Sequence, residues 1–340
     1  MNDDVLTQIL RAYDLDTDCG VEVRPLPQGF GGSVVRLRVG ENDIVIKTIP
    51  DVTRMERTEF GLQLQRQLHA AGVPCPRPYL TRSGSPFVKV AGSIVTVHEW
   101  CPGEHFDVRT ADAETRREHR RKLGALLGQI HSAASPQLLQ TTPVSSRISS
   151  ADLFLSIPRP DRIMRWSRAG KIGSTVWMAT HLPRETRQEF AEALRLMKFG
   201  RDKLIRSPLA YDNRFAELLP VHGDVHFDNI LMQSGRITGL VDFDNACVCP
   251  RAFDLGSTLA VACADREHEQ DFLEAYADNS GGVRYDDELI RACVMLRAVR
   301  SMAFQITRYT GRNTGSPIPD DTRLFIRQLI RTMEIELANE

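Results

Sequence analysis

Apolar residues recur along the first third of the chain at two different periods. Over residues 1–20 they fall at helical spacing, with Val5, Ile9, Leu10 and Tyr13 on one face, and predict a lead-in helix. Three runs rich in β-branched residues follow, VEVRPLP, SVVRLRVG and NDIVIKTIP. Gly-rich or Asn-Asp turns separate them, so they predict strands. Residues 54–71 return to the helical period and stop at Gly72, a C-terminal helix signal. Pro74, Pro76 and Pro78 then impose extended chain. Two more strands are expected around PFVKV and SIVTVHEW, ending at the turn CPGE.

Beyond residue 104 the pattern becomes helical. One helix is predicted over 111–134, and a helical region runs on to about 217, including DRIMRWSRAGK and RETRQEFAEALRLMKFGRDKLI. The stretch PVHGDVHFDNILM–QSGR–ITGLVDFDNA reads as a loop and a β-hairpin turning at Ser234-Gly235, and 253–340 is helical again. The expected class is therefore α+β. A small β-rich N-terminal lobe (1–100) meets a short hinge near 99–103. A larger, mainly helical C-terminal lobe (101–340) carries a helical insert at about 104–217.

Composition narrows the function classes. With 42% hydrophobic and 26% charged residues, the chain of 340 has the profile of a soluble globular protein. A net charge of −1 provides no whole-molecule field for nucleic acid or an acidic membrane. No apolar run approaches the roughly 18 residues of a membrane span. The acidic start, MNDDVLTQILRAYDLD, does not read as a secretion signal, so a cytoplasmic protein is expected. Seven scattered cysteines do not form a disulfide framework, and Cys247-x-Cys249 lacks the second pair of a structural zinc site. Only six of the 43 basic residues are lysines, which draws attention to Lys47 in the strand IVIKTI.

The densest chemistry lies in His222-Gly223-Asp224-Val225-His226-Phe227-Asp228-Asn229, followed after the hairpin by Asp242-Phe243-Asp244. Phosphoryl transfer needs charge neutralised and an acceptor oxygen aimed in line. One carboxylate must take the acceptor proton. A second carboxylate and an amide oxygen must hold Mg²⁺, a hard ion that prefers oxygen. Asp224, Asn229 and Asp242 supply those groups. Reading His222 and His226 as zinc ligands of a hydrolase leaves Asn229, the DFD strand end and the whole front lobe unexplained.

These residues resemble the aminoglycoside phosphotransferase/choline kinase superfamily, whose signature is H-G-D-x-x-x-x-N followed by an Asp at a strand end. The resemblance runs from the Gly-rich turn near 29 to Asp254-Leu255. It implies a protein-kinase-like bilobal fold, ATP and Mg²⁺ as cofactors, and a catalytic base at Asp224 with Mg²⁺ ligands at Asn229 and Asp242. Asp254 and His222 are implied to brace the catalytic loop. In the front lobe, Gly31, Gly32 and Ser33 are implied to lie along the nucleotide phosphates, with Lys47 contacting them. Glu59, or Glu56 one turn away, is implied to pair with Lys47; relatives are expected to place that glutamate nearer 61, where this chain has Gly61. Glu99, Trp100 and Cys101 resemble the hinge whose backbone binds adenine.

The expected activity is ATP- and Mg²⁺-dependent O-phosphotransfer to a hydroxyl of a small molecule, with GTP in place of ATP left open. Between 145 and 182 stand six basic residues (Arg147, Arg159, Arg162, Arg165, Arg168, Lys171) against Asp152 and Asp161. That imbalance disfavours a polycationic aminoglycoside. It points to a natural-product antibiotic or to an amino-alcohol or sugar-like metabolite, although Asp265, Glu267, Glu269 and Asp271 pull the other way. The alternatives are a Ser/Thr protein kinase of the stress-kinase type and a non-catalytic nucleotide-binding pseudokinase. The presence of Lys47, Asp224, Asn229 and Asp242 together speaks against the latter. Charge reversal at Arg162 and Arg165 is expected to change acceptor affinity if this basic segment faces the cleft. Unchanged acceptor titrations would return both arginines to an ordinary solvated face.

Overall fold

The computed structural model describes residues 3–15, 21–26, 32–106, 111–134, 137–143, 146–148, 183–207, 209, 217–263, 266–282, 285–312 and 320–338. Gly31 and the arginine-rich run 159–171 lie outside the described residues. The predicted front strands form one antiparallel sheet. β1 (Val21–Pro25), β2 (Ser33–Val39), β3 (Asn42–Ile49), β4 (Val88–Val90) and β5 (Ser93–Glu99) take the order β1-β2-β3-β5-β4. Period-two alternation decides what each face carries. Leu37 and Val39 of β2, Ile44 and Ile46 of β3, and Val95 and Val97 of β5 are buried together with Ile9 and Leu10 of α1 (Asp3–Ala12) and with Tyr13 just beyond it. Tyr13 donates its hydroxyl to the Val95 carbonyl at 3.0 Å, and burial pushes its phenol well above the ordinary range. Lys47 follows Ile46, so its side chain leaves on the face opposite this core.

α2 (Met55–Ala70) ends where the sequence predicted, its last turn closed by the Val73 N–H on the Leu68 carbonyl. The proline segment then runs extended beside β5, with Tyr79 N–H on Val97 O and Glu99 N–H on Arg77 O, both 2.9 Å. β6 (Glu104–His105) joins the hairpin of β8 (Ile230–Gln233) and β9 (Arg236–Leu240) in the order β6-β8-β9. Ser234 and Gly235 both take positive φ, 48° and 74°, which a tight two-residue hairpin turn requires. β7 (Leu218–Val221) pairs with β10 (Cys247–Pro250).

The helices are α3 (Ala113–Ala133), α4 (Gln137–Thr141), α5 (Arg184–Arg206), α6 (Arg251–Ala262), α7 (Arg266–Asn279), α8 (Asp287–Arg312) and α9 (Asp320–Ala338). Two compact units emerge. One comprises 1–116, 126–147 and 219–248; the other comprises 117–125, 148–218 and 249–340. The units therefore do not follow the expected cut at 100/101. The HGDVHFDN segment and the hairpin pack with the front sheet, partly through the Leu240 N–H on the Pro74 carbonyl at 2.7 Å. In the second unit α8 packs on α5, α6 and α9, burying Met197, Leu255, Leu259, Leu296, Val299, Met302, Ile326, Leu329 and Met333. Ion pairs edge that core: Arg323 and Arg327 of α9 on Glu189 of α5, and Arg291 of α8 on Glu269, Asp287 and Glu336. Among the described residues no helix is long and apolar enough to cross a membrane.

Candidate active site

The loop between β7 and β8 folds around the side-chain amide of Asn229. Its Nδ2 donates to the Asp224 backbone carbonyl at 2.8 Å and faces the His226 ring Nε2 at 3.1 Å. A carbonyl only accepts, so the nitrogen of the amide is identified by its partner. With both N–H groups engaged inward, Oδ1 is the oxygen left to face a cation. His226 Nε2 must then accept, which places its proton on Nδ1, 3.6 Å from Asp228 Oδ2. The Asp224 carboxylate stays partly accessible, with His226 Nε2 at 3.5 Å. Its Oδ2 accepts from Asn245 Nδ2 at 3.0 Å.

His222 is fully buried and donates from Nε2 to the Val241 carbonyl at 3.0 Å, with its ring edge-on to Phe243 at 4.6 Å. It ties the start of the loop between β7 and β8 to the end of β9 and is withdrawn from solvent. Val241 N–H closes the same junction on the Asn229 carbonyl at 2.9 Å. Asp254, on α6, is also fully buried.

Lys47 reaches this loop from β3. Its Nζ donates to Asp242 Oδ1 and to Asp244 Oδ1, 2.7 Å each. Burial penalises charge at Lys47, but the two carboxylates outweigh it and raise the ammonium above its ordinary value. Burial likewise raises the Asp242 carboxyl, and Lys47 more than reverses that, holding it below the usual range. Arg54 adds a longer contact to Asp244, 3.8 Å from Oδ2. Asp242 itself adopts φ 65° and ψ 66°, a left-handed conformation rare for a residue with a side chain.

The expected glutamate partner of Lys47 is corrected here. Glu59 and Glu56 are both exposed on α2, and the two acids on Lys47 come from the loop after β9 instead. Gly61 gives the physical reason: a Cβ there would lie 2.6 Å from the Phe243 carbonyl oxygen. The loop backbone occupies the space a side chain at 61 would need, and it delivers Asp244 to the lysine.

Gly32 lies against the Thr48 carbonyl with no room for a side chain, while Ser33 begins β2 and is exposed. Gly31 lies outside the described residues. At the hinge, Trp100 N–H is taken by the Asp43 carbonyl at 3.0 Å, and Glu99 N–H by Arg77. The Trp100 ring stacks under the Arg36 guanidinium at 4.0 Å. Cys101 is half-buried, its thiol pushed up to about 11 by burial and by Glu99. Asp244, Asn245 and Arg57 were not singled out from sequence. The signal available was the second acid of DFD beside a glycine where a helix acid was expected.

Comparison with known proteins gives the arrangement its class. Spectinomycin phosphotransferase, APH(9)-Ia, solved with ADP and spectinomycin, superposes with a TM-score of 0.65 at 14% identity, covering 99% of this chain and 98% of that one. Amicoumacin kinase hAmiN, solved with AMP-PNP, Ca²⁺ and Ami, gives 0.61 at 15% identity, covering 98% and 94%. The fold is that of the kinase-like phosphotransferases, a small antiparallel-sheet lobe and a larger helical lobe. Residues 22–289 match the phosphotransferase enzyme family (APH), and the chain belongs to it. A homoserine kinase of Pseudomonas aeruginosa (strain LESB58) is 25% identical over 267 residues, 76% of this chain and 72% of that protein. The chain is an ATP-dependent phosphotransferase that acts on an alcohol group.

Asp244→Ala is expected to weaken ATP binding about tenfold, the worth of the charge-assisted hydrogen bond it accepts from Lys47. Glu59→Ala is expected to stay within about twofold. Calorimetric titration with Mg-ATP checks both, and the reverse ranking would restore the helix glutamate as the partner of Lys47.

Proposed function

We propose that this protein transfers the γ-phosphoryl group of ATP, with Mg²⁺, to a hydroxyl of a small neutral, zwitterionic or anionic molecule. The observation that carries the reading is the convergence of Lys47, Asp224, Asn229 and Asp242 within one compact unit. The donor set fits Mg²⁺: Asn229 Oδ1 is left over once its nitrogen is engaged, and Asp242 keeps a carboxylate oxygen beyond the one on Lys47. Two protein oxygens are what Mg²⁺ commonly takes, with phosphate oxygens and water completing its shell. When bound, the ion would neutralise charge on the phosphates.

In this reading Lys47 binds the phosphates from the sheet side, held in place by Asp244. Asp224 lies where a hydroxyl can reach its carboxylate, and takes the hydroxyl proton as the new O–P bond forms. The bond between the γ-phosphorus and its bridging oxygen breaks, and ADP leaves. The backbone of Glu99 to Cys101 would hold the adenine; the Cys101 N–H has no hydrogen-bond partner among the described residues.

For the acceptor, the homoserine kinase relative supports a small amino alcohol, and the spectinomycin and amicoumacin enzymes support a natural-product antibiotic. The basic excess over 145–182 favours acceptors that are not polycationic.

A coupled ADP-release assay with Mg-ATP tests this against homoserine, choline, aminopropanol, sugars, aminoglycosides, macrolides, and nucleoside and peptide antibiotics. An acceptor-dependent signal is expected, reduced at least about a hundredfold in Asp224→Ala, whose Mg-ATP affinity should stay near that of the unaltered protein. Near-normal turnover in Asp224→Ala would refute the base assignment.

A further inference from the structure

Asn245 sits against the candidate base. Its amide bridges two side chains of opposite character. Arg57, on α2, donates from Nη2 to Asn245 Oδ1 at 3.2 Å, and Asn245 Nδ2 donates to Asp224 Oδ2 at 3.0 Å. A guanidinium can only donate and a carboxylate can only accept, so this amide has one allowed orientation. A flipped amide would set its N–H groups against the guanidinium and its oxygen against the carboxylate, losing both bonds.

The backbone fixes the same residue. A Cβ on Gly223, immediately before Asp224, would lie 2.4 Å from the Asn245 carbonyl oxygen, so the two loops touch through main chain. Ala246 N–H closes the turn on the Phe243 carbonyl at 3.0 Å. Asn245 is thus held by its own turn, by the catalytic loop and by a helix arginine.

We infer that Asn245 is a positioning residue for Asp224, and that Arg57 acts through it as its orienter. The proposal rests on Asp224 being the base. The Asn245 N–H holds Oδ2, fixing the plane of the carboxylate and so the direction in which it meets the acceptor hydroxyl. Misplacing a base by a rotamer costs turnover rather than nucleotide binding. The same segment then serves the site three times: Asp242 toward the metal, Asp244 on Lys47, Asn245 on the base.

The test uses the full chain, labelled with ¹⁵N-asparagine and free of nucleotide. The Asn245 side-chain amide pair is assigned by its loss in Asn245→Ala, and it is expected to shift in both Asp224→Ala and Arg57→Met. ADP release is then followed from Mg-ATP with L-homoserine and, separately, with water as the only acceptor. Asn245→Ala is expected to lower kcat about tenfold, with Mg-ATP affinity within about twofold. Arg57→Met is expected to cost less, and nothing further in the Asn245→Ala background. Amide signals unmoved by both substitutions would overturn the relay. An equal cost of Arg57→Met in both backgrounds would overturn it as well, because the arginine would then act independently. If Asp224→Ala keeps full ADP release while the amide signals still shift, the contact exists but the base assignment beneath the proposal is wrong.

Discussion

The site is organised by one shared cation. The ammonium of Lys47 lies between Asp242 and Asp244, two carboxylates about two hundred residues away in sequence and 2.7 Å away in space. An ammonium mostly withdrawn from water must be paired, because an unpaired buried charge is far costlier than any hydrogen bond returns. The pairing also ties β3 to the loop after β9, so sheet and catalytic segment pack as one unit.

That constraint spreads through main chain as much as through side chains. The loop lies so close to α2 that position 61 has room only for hydrogen, and so close to the catalytic loop that the same holds at Gly223. Phe243 packs its ring on buried His222. Asp242 pays for its place with a left-handed backbone, strain of the kind that surrounding contacts must overdetermine. The two carboxylates on Lys47 are therefore held by a short, crowded stretch whose neighbours leave it few alternatives.

The strands, the hairpin and the helix boundaries of the front sheet were legible in sequence, since each rests on local period and turn chemistry. Asp224, Asn229 and Asp242 were singled out by the residue types of the motif and by a family resemblance, and they fall within one packing unit. The partner of Lys47 was not. Choosing Glu59 assumed that α2 presents a side chain to the lysine, whereas the outcome turned on how near a backbone 180 residues later comes to Gly61. Asn245 and Arg57 escaped for a similar reason. Their role lies in a pairing across loops, and each looks locally like a turn residue or a solvated helix face. The division into packing units was equally hidden, because it depends on where the 219–248 segment docks.

The central claim is that one loop, residues 242–245, assigns the metal, the lysine and the base their places. A crystal structure of the complex with Mg²⁺ and AMP-PNP tests it most directly. The account predicts the ion bonded to Asn229 Oδ1 and an Asp242 oxygen, with Lys47 on the phosphates and still held by Asp244. An ion bound away from both residues, or Lys47 swung from Asp244 to an acid of α2, would contradict it.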